Sequence, residues 1–279
     1  MSGEKRDGFG GGGQGPVGPC PIPQSPSPNP LKGGEGGLGG GQGTAFPGPP
    51  PKLPPPPLRL CVPVVEAAVS RARRQYLRAA RKGLWTEIRL DYLEKPDLKR
   101  LFRTLPGSVI VTNRTQAEGG RWIGAEETRL DLLKEALDWK VHFVDVELAT
   151  GAAWRRQLWE SKGETRIILS WHDFSGTPEP RRLQAILKRM LAADAHVLKL
   201  VTWAQEPEDN LRLLSLIPQA RARGREIIAF CMGPLGKWSR IAAPLLGSYL
   251  TYAPFTRKGA SAPGQLTVNE VRRLWKTLK

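Results

Sequence analysis

A strand–helix–strand pattern occupies residues 166–202, which read "RIILSWHD" (166–173), "PEPRRLQAILKRMLAADA" (178–195) and "HVLKLVT" (196–202). The outer two segments are short apolar runs, which are typical of buried strands. The middle segment has apolar residues three and four positions apart, the spacing of a helix that covers one face of a sheet. A helix that joins two strands in this way places them in parallel. The stretch therefore predicts one unit of a parallel α/β fold.

The same unit recurs throughout residues 58–279. Helical segments such as "EETRLDLLKEALDWK" (126–140) separate short apolar or alternating runs. The strand candidates are 58–64, 84–92, 108–114, 142–148, 166–173, 196–202, 226–232 and 250–255. Eight alternating units predict a closed (β/α)8 TIM barrel as the fold class, with an open doubly wound sheet as the alternative.

Residues 1–57 differ sharply in composition from the rest of the chain, because Gly and Pro supply more than half of the positions. Such a segment has too little apolar surface to offset the entropy of ordering. We therefore expect a disordered Gly/Pro-rich tail at 1–57 and a barrel domain at 58–279. The tail lacks the apolar core of a secretory signal, and no later apolar run is long enough for a bilayer. A soluble cytoplasmic protein is expected.

The formal net charge of +16 raises the question of a nucleic-acid partner. Nearly all of the excess lies in residues 58–279, where the arginines are spread over several predicted helices. Solvated helix faces are the preferred interpretation, and a non-enzymatic basic nucleic-acid-binding protein is an alternative. The cysteines Cys20, Cys61 and Cys231 are widely spaced and match neither a disulfide framework nor a metal site.

One charged residue, Lys199, stands at the centre of the apolar run 196–202. A buried ammonium is costly unless it is paired or loses its proton, so Lys199 is either an edge-strand lysine facing water or a reactive amine. A desolvated lysine beside other cations, for which Arg89, Arg114 and Arg240 are candidates, gives up its proton more easily. The neutral amine then attacks a carbonyl to form a Schiff base.

The histidines occupy different ends of their strands. His142 and His196 begin theirs, where structural roles are expected, whereas His172 ends its strand, where barrel enzymes place their active sites. With strands in chain order, His172 is a neighbour of Lys199 and could transfer protons near neutral pH. Alternation in 84–92 turns Glu87 and Arg89 towards the barrel interior. Structural or supporting roles are expected for Asp145, Glu147 and Asp173.

Several motifs then occur in order along these strands: "EIRLDY" (87–92), "TNRTQAEGG" (112–120), "VDVEL" (144–148), "SWHDF" (170–174), "KLVT" (199–202), "MGPLGKWSR" (232–240) and "SAPGQL" (261–266). The ordered set resembles the signature series of the type I 3-dehydroquinate dehydratases. The resemblance covers residues 58–279 and none of the tail. It implies a TIM-barrel lyase that removes water syn from 3-dehydroquinate to give 3-dehydroshikimate, through a lysine Schiff base. That reaction belongs to the shikimate pathway of aromatic amino-acid biosynthesis.

The resemblance also implies a role for each matching residue. Lys199 corresponds to the lysine that forms the imine, His172 to the general acid and base, and Glu118 to the glutamate that orients the histidine. An acidic neighbour of this kind is expected to favour the charged imidazolium. The substrate contacts implied are Glu87, Arg89, Arg114, Arg240, Ser261 and Gln265, with Arg240 on the substrate carboxylate and 261–265 as a closing loop.

The resemblance further implies that no metal or organic cofactor is needed, that 3-dehydroquinate is the small-molecule substrate, and that the enzyme is a homodimer. No nucleic-acid or membrane partner is expected, because the arginines are spread over several helices and no apolar run is long enough for a bilayer. Three features depart from the usual pattern and concern the fit of the substrate: Pro63, Trp171 and the continuation "WAQ" (203–205) after "KLVT". Another class I Schiff-base enzyme of the aldolase type is the alternative within barrel enzymes. It would share the buried lysine but would not need Glu118, His172 and the "SAPGQ" loop.

Overall fold

The computed structural model describes residues 57–278, so the expected tail lies outside the described residues except for Pro57. The strands are β1 (Leu60–Val64), β2 (Trp85–Arg89), β3 (Val109–Thr112), β4 (Phe143–Glu147), β5 (Arg166–Asp173), β6 (Val197–Trp203), β7 (Glu226–Met232) and β8 (Thr251–Tyr252). Each lies within one of the eight predicted segments or extends it by a single residue. Pro254 lacks a backbone N–H and lies just beyond β8, which is much shorter than its predicted segment 250–255.

The helices follow the strands in turn. They are α1 (Val69–Arg81), α2 (Leu98–Phe102), α3 (Glu126–Asp138), α4 (Ala152–Ser161), α5 (Pro180–Ala192), α6 (Pro207–Leu214), α7 (Leu216–Arg221), α8 (Ser239–Leu245) and α9 (Val268–Leu278). Two helices, α6 and α7, share the connection between β6 and β7. Within residues 57–278, every helix is too short or too polar to cross a lipid bilayer.

All strand pairs are parallel, and the sheet has the order β7-β6-β5-β4-β3-β2-β1-β8. The barrel is nearly closed, because the Tyr249 N–H just before β8 donates to the Ile227 carbonyl of β7 at 2.7 Å. The registers pair Ser170 with Lys199 and Glu147 with Ser170. These pairings bring inward side chains of successive strands to similar heights. The prediction of a (β/α)8 barrel is confirmed, and the open sheet is not found.

Apolar side chains fill the space between strands and helices, as alternation predicts. Ile88 of β2 and Val144 of β4 pack in one cluster with Tyr76 of α1 and Leu133 of α3. At the amino ends of the strands, the rings of Trp85, Phe143 and Tyr249 contact one another. Apolar side chains thus fill the layer between the sheet and the helices, and aromatic rings fill the amino end of the barrel.

The two histidines that begin strands have partners in the backbone. The Val109 N–H donates to His142 Nδ1 at 3.4 Å, and the Ile167 N–H donates to His196 Nδ1 at 3.0 Å. Burial lowers the pKa of both imidazoles, which suits neutral rings that accept hydrogen bonds. Both residues thus join a strand to the loop that enters its neighbour.

Candidate active site

A pocket opens among the loops that follow the strands, at the carboxyl ends where barrel enzymes bind their ligands. It is lined by every predicted site residue: Glu87, Arg89, Arg114, Glu118, His172, Lys199, Arg240, Ser261 and Gln265. These residues come from six strands or the connections that follow them. The fold therefore brings together groups that are up to 178 residues apart in the sequence, Glu87 and Gln265 being the extremes.

Lys199 lies inside the barrel, with only 5% of its surface exposed. Its Nζ donates to Asp145 Oδ2 at 2.9 Å and to Glu87 Oε1 at 3.2 Å, and it lies 4.7 Å from the centre of the Tyr252 ring. The edge-strand interpretation is thus wrong. The expected surroundings are also wrong in one respect, because the groups in contact with the amine are carboxylates and not cations. Two ion pairs and an aromatic face offset the cost of burying the ammonium.

Asp145 is the centre of this charge network. It accepts from Ser170 Oγ at 2.6 Å and from Arg114 Nη2 at 2.7 Å, in addition to Lys199. Burial alone would raise the pKa of Asp145, but the charges of Arg114 and Lys199 outweigh it and hold the pKa well below its usual range. Asp145 is therefore a permanent carboxylate that holds the Lys199 amine in place.

Arg114 binds several groups of the protein at once. Besides Asp145, its guanidinium donates to Ser170 Oγ at 2.7 Å and lies 3.4 Å from Glu147 and 3.6 Å from Glu118. Burial would lower the pKa of Arg114, but these carboxylates raise it above the ordinary value. Arg114 lines the pocket and pairs with carboxylates of the protein.

His172 and Glu118 form the second functional unit, with Nδ1 and Oε2 2.8 Å apart. Burial raises the pKa of Glu118 to about 8, although Arg114 acts in the opposite direction. Burial and the cations Arg114 and Lys199 lower the pKa of His172 well below its usual value. The expectation that Glu118 favours a charged imidazolium is therefore wrong, because desolvation and the nearby cations favour the neutral ring.

A tight turn places Glu118 at this position. Residues 116–118 form one turn of 3-10 helix, and Gly119 follows in the left-handed conformation with φ of 74°. A Cβ atom at Gly119 would lie 2.1 Å from Phe174 Cζ, and one at Gly120 would lie 2.0 Å from the Arg114 carbonyl oxygen. The sequence "EGG" thus lets the glutamate approach His172 while the backbone packs against β5.

Arg89 and Arg240 are both buried pocket residues, and among residues 57–278 only Arg89 has a carboxylate partner. Arg89 donates to both oxygens of Asp91, at 2.8 and 2.6 Å. The Arg240 side chain, in the first turn of α8, donates from Nη2 to the Pro263 carbonyl at 3.3 Å, and its guanidinium carbon lies 4.4 Å from the Phe230 ring centre. Within residues 57–278, its Nε and Nη1 have no hydrogen-bond partner.

The surroundings of Arg240 are therefore unusual for a fully buried cation. Its exposed fraction is 1%, and burial lowers its pKa to about 10. Buried guanidinium groups are normally paired, since an uncompensated charge in the interior is costly. Free donors at the wall of a pocket are what a site needs if it is to bind an anionic ligand.

Ser261 and Gln265 close one side of the pocket. The Ser261 N–H donates to Gln265 Oε1 at 3.0 Å, and Gln265 Nε2 donates to Ser261 Oγ at 3.1 Å. The loop also touches the connection after β7, where the Gly233 N–H donates to the Pro263 carbonyl at 3.4 Å. The loop thus contacts both the pocket and the segment that carries Arg240.

Two residues at the amine are not among the site residues predicted from the sequence. Asp145, for which a structural or supporting role is expected, contacts Lys199 Nζ, and no pattern in the sequence singles out Tyr252. Alternation along "FVDVE" (143–147) turns Asp145 inwards, but the pattern does not reveal which group it meets. The apolar lining is formed by Phe174, Val201, Phe230, Met232 and Ala262.

Comparisons with known proteins agree with this geometry. The model of the family described as type I 3-dehydroquinase matches residues 60–279. A 3-dehydroquinate dehydratase from Methanosarcina acetivorans is 36% identical over 229 residues, which cover 77% of this chain and 94% of the relative. A 3-dehydroquinate dehydratase from Desulfotalea psychrophila is 34% identical over 218 residues, which cover 77% of this chain and 96% of the relative.

Solved structures show the same similarity. The 3-dehydroquinate dehydratase from Geobacillus kaustophilus superposes with a TM-score of 0.73 at 27% identity, covering 80% of this chain and 91% of that one. The type I 3-dehydroquinate dehydratase from Clostridium difficile, solved with covalently modified comenic acid, has a TM-score of 0.73 at 25% identity, covering 79% and 92%. Nearly the whole of each relative is matched by the barrel. The chain belongs to the type I 3-dehydroquinase family.

Proposed function

We propose that Lys199, His172 and Glu118 convert 3-dehydroquinate to 3-dehydroshikimate with syn loss of water, in the shikimate pathway of aromatic amino-acid biosynthesis. Family membership makes the chain a 3-dehydroquinate dehydratase, a hydro-lyase, and the Schiff-base mechanism is general to the type I family. The assignment of individual residues is our proposal. The catalytic domain is proposed to be the barrel of residues 58–279.

One observation carries the assignment, namely that a buried lysine and a buried arginine without a carboxylate partner line the same pocket. The substrate has a ketone and a carboxylate, which are the groups that an amine and a guanidinium bind. Within residues 57–278, Arg240 is the pocket arginine whose donors are left free, whereas Arg89 and Arg114 contact carboxylates of the protein. Arg240 is therefore assigned to the substrate carboxylate, with a planar fork that suits two oxygens.

Lys199 supplies the nucleophile. Its amine, once neutral, adds to the C3 ketone, and the carbinolamine loses water to give a protonated imine. The imine withdraws electrons from the adjacent carbon, so a proton at C2 becomes removable. Asp145 and Glu87 contact Nζ before the reaction and remain beside the positive charge of the imine. They stabilise the intermediate without moving.

His172 moves the protons. The neutral imidazole, favoured by its lowered pKa, takes the C2 proton. It then donates this proton to the C1 hydroxyl, which leaves as water. Glu118 fixes the ring through its contact with Nδ1. Water then attacks the imine, His172 assists that step, and the free Lys199 amine returns. The balance is one molecule of water lost from the substrate.

The remaining contacts fix the substrate ring. Glu87 and Arg89 are assigned to ring hydroxyls, with Arg114 beside them as support for the carboxylates. Ser261 and Gln265 are assigned to a loop that closes over the ligand and excludes water. The loop's contact with the Arg240 side chain through Pro263 would couple closure to binding of the carboxylate.

We also propose that the enzyme is a cytoplasmic homodimer that acts on this small molecule without a nucleic-acid or membrane partner. The family supports the substrate, and light scattering of the purified protein tests the dimer. Retention on immobilised DNA at low salt, with elution as salt rises, would contradict the absence of a nucleic-acid partner.

The catalytic proposal is tested by chemical trapping. Borohydride added with 3-dehydroquinate should reduce the imine, inactivate the enzyme and increase the mass of the peptide that contains Lys199. The Lys199→Met variant should form no adduct, and Lys237→Met, a lysine of the loop before α8, is the matched control. Dehydratase activity with an unmodified Lys199 would overturn the assignment of the nucleophile.

A further inference from the structure

We propose that Tyr252 is a positioning residue for this reaction: its hydroxyl anchors the Glu87 carboxylate and its ring holds the Lys199 amine. The inference deepens the proposed function and rests on it. Tyr252 forms the end of β8, opposite Cys61 of β1 in the register. It has only 3% of its surface exposed and lines the pocket.

The hydroxyl of Tyr252 belongs to a group of three donors on one carboxylate oxygen. Glu87 Oε1 accepts from Thr112 Oγ1 at 3.1 Å, from Lys199 Nζ at 3.2 Å and from Tyr252 OH at 3.2 Å. Within residues 57–278, no group donates to the second oxygen, Oε2. Since Glu87 lines the pocket, Oε2 is the oxygen that is available to a substrate hydroxyl.

The ring of the same residue faces the amine. Lys199 Nζ lies 4.7 Å from the ring centre, within the range of a cation–π contact. The ammonium and the protonated imine both carry a positive charge, so this contact is available before and after the nitrogen reacts. One side chain thus contacts the nucleophile through its face and a substrate-binding carboxylate through its hydroxyl.

The hydroxyl is suited to permanent donation. Burial, together with the negative charge of Glu87, raises the pKa of Tyr252 well above its ordinary value. The phenol therefore keeps its proton at any pH at which the enzyme works. A donor that does not ionise fixes Glu87 in one orientation, which a phenylalanine ring in the same place could not do.

The two contacts of Tyr252 can be separated by substitution. Tyr252→Phe keeps the ring and removes the hydroxyl, so KM for 3-dehydroquinate should rise roughly 10-fold, the factor expected for one lost hydrogen bond to a charged group. Its kcat should stay within about 2-fold of wild type, because Lys199 keeps its aromatic contact. Tyr252→Leu removes the ring too, and kcat should also fall, by roughly 5- to 30-fold.

The matched control is Tyr249→Phe, in the same segment of chain. The Tyr249 hydroxyl accepts from Arg166 Nη1 at 3.2 Å at the amino end of the barrel, away from the pocket. This variant should leave KM unchanged. A double-mutant cycle with Glu87→Gln supplies the decisive readout, since a residue that acts through Glu87 should change KM little once the carboxylate is gone.

The outcomes separate this inference from the proposed function. An unchanged KM in Tyr252→Phe, an equal rise in Tyr249→Phe, or full additivity with Glu87→Gln would overturn the role of Tyr252 and leave the mechanism intact. A wild-type enzyme that dehydrates 3-dehydroquinate but is not trapped by borohydride would overturn both. A rise in KM that vanishes in the Glu87→Gln background, with trapping intact, supports the inference.

Discussion

The two ends of the barrel hold the same types of residue with different partners. At the amino ends of the strands, His142 and His196 accept backbone N–H groups of neighbouring elements. The guanidinium groups of Arg59 and Arg166 lie over the Tyr249 ring, at 4.5 and 5.7 Å. Backbone groups and an aromatic face are therefore the partners of these two histidines and two arginines.

At the carboxyl ends, histidine and arginine meet other ionisable groups. His172 contacts Glu118, Arg114 contacts Asp145, and Arg240 keeps free donors. Ionisable groups that contact each other change their proton affinities together. The difference shows that a barrel can use one set of residue types for assembly at one end and for chemistry at the other.

The largest expected effect is a loss of kcat when the histidine at the carboxyl end, and not one at the amino end, is replaced. His172→Ala should reduce kcat by about 10²- to 10⁴-fold, the usual contribution of a general acid and base. It should still form the reducible adduct, because Lys199 is untouched. His196→Ala, at the amino end, should retain kcat and lose stability, since the Ile167 N–H loses its acceptor. Steady-state kinetics and borohydride trapping check both variants, and equal losses of kcat would contradict the division between the ends.

Arginine provides the next test. Arg240→Gln should raise KM for 3-dehydroquinate by on the order of 100-fold or more, since a buried charged contact is worth about 2–5 kcal/mol. Arg166→Gln removes a guanidinium from the aromatic rings at the other end and should leave KM as it is. Steady-state kinetics of the two variants measure the contrast. An unchanged KM in Arg240→Gln would show that the substrate carboxylate binds elsewhere.

Removing one or the other of two arginines at the carboxyl end should change the free energy of unfolding in opposite directions. Arg114→Leu leaves Asp145 and Glu147 without their main cation, so the free energy of unfolding should fall by about 3–5 kcal/mol. Arg240→Leu removes a buried charge that has no carboxylate partner within residues 57–278 and should raise that free energy by about 1 kcal/mol. Urea unfolding checks both. A marked loss of stability in Arg240→Leu would mean that Arg240 serves the fold.

Much of this arrangement is predictable from the sequence, because alternation along a strand decides which side chains enter the barrel. The period of the apolar residues and the order of strands and helices alone predict the eight strands. They also predict that His172 lies at the carboxyl end of β5 and that Glu87 points inwards. The family resemblance supplied Ser261 and Gln265, which lie in a loop that has no periodic pattern.

The partners of the charged groups could not be predicted, because they depend on contacts across the barrel. Asp145 of β4 meets Lys199 of β6, although β5 lies between them in the sheet. From the sequence, the candidate neighbours of the amine are arginines, whereas the structure places the carboxylates of Asp145 and Glu87 in contact with it. For the same reason, the lowered pKa of His172 depends on burial and on Arg114, which pairing with Glu118 alone does not suggest.

The smallest expected effect is a shift in pH dependence at the His172–Glu118 contact. When Glu118 is protonated, its O–H donates to Nδ1, and the imidazole proton occupies Nε2, so no nitrogen is free to take the C2 proton. When Glu118 is ionised, Nδ1–H donates to it and Nε2 can accept. Since burial raises the pKa of Glu118 to about 8, kcat/KM should rise with pH and be half-maximal near that value.

Glu118→Gln tests this argument, because an amide oxygen accepts from Nδ1 at every pH. The ascending limb of kcat/KM should then follow His172 itself, whose pKa lies well below the usual value of 6.5, and move to lower pH, with a reduced plateau. Rates measured from about pH 5.5 to 9.5 follow the wild-type limb and show whether the limb of the variant has moved to lower pH. A limb that stays near pH 8 in Glu118→Gln would assign the ionisation to another group. The same substitution at Glu226, which begins β7 at the amino end, should leave the profile unchanged, because no proton of the reaction passes through that end.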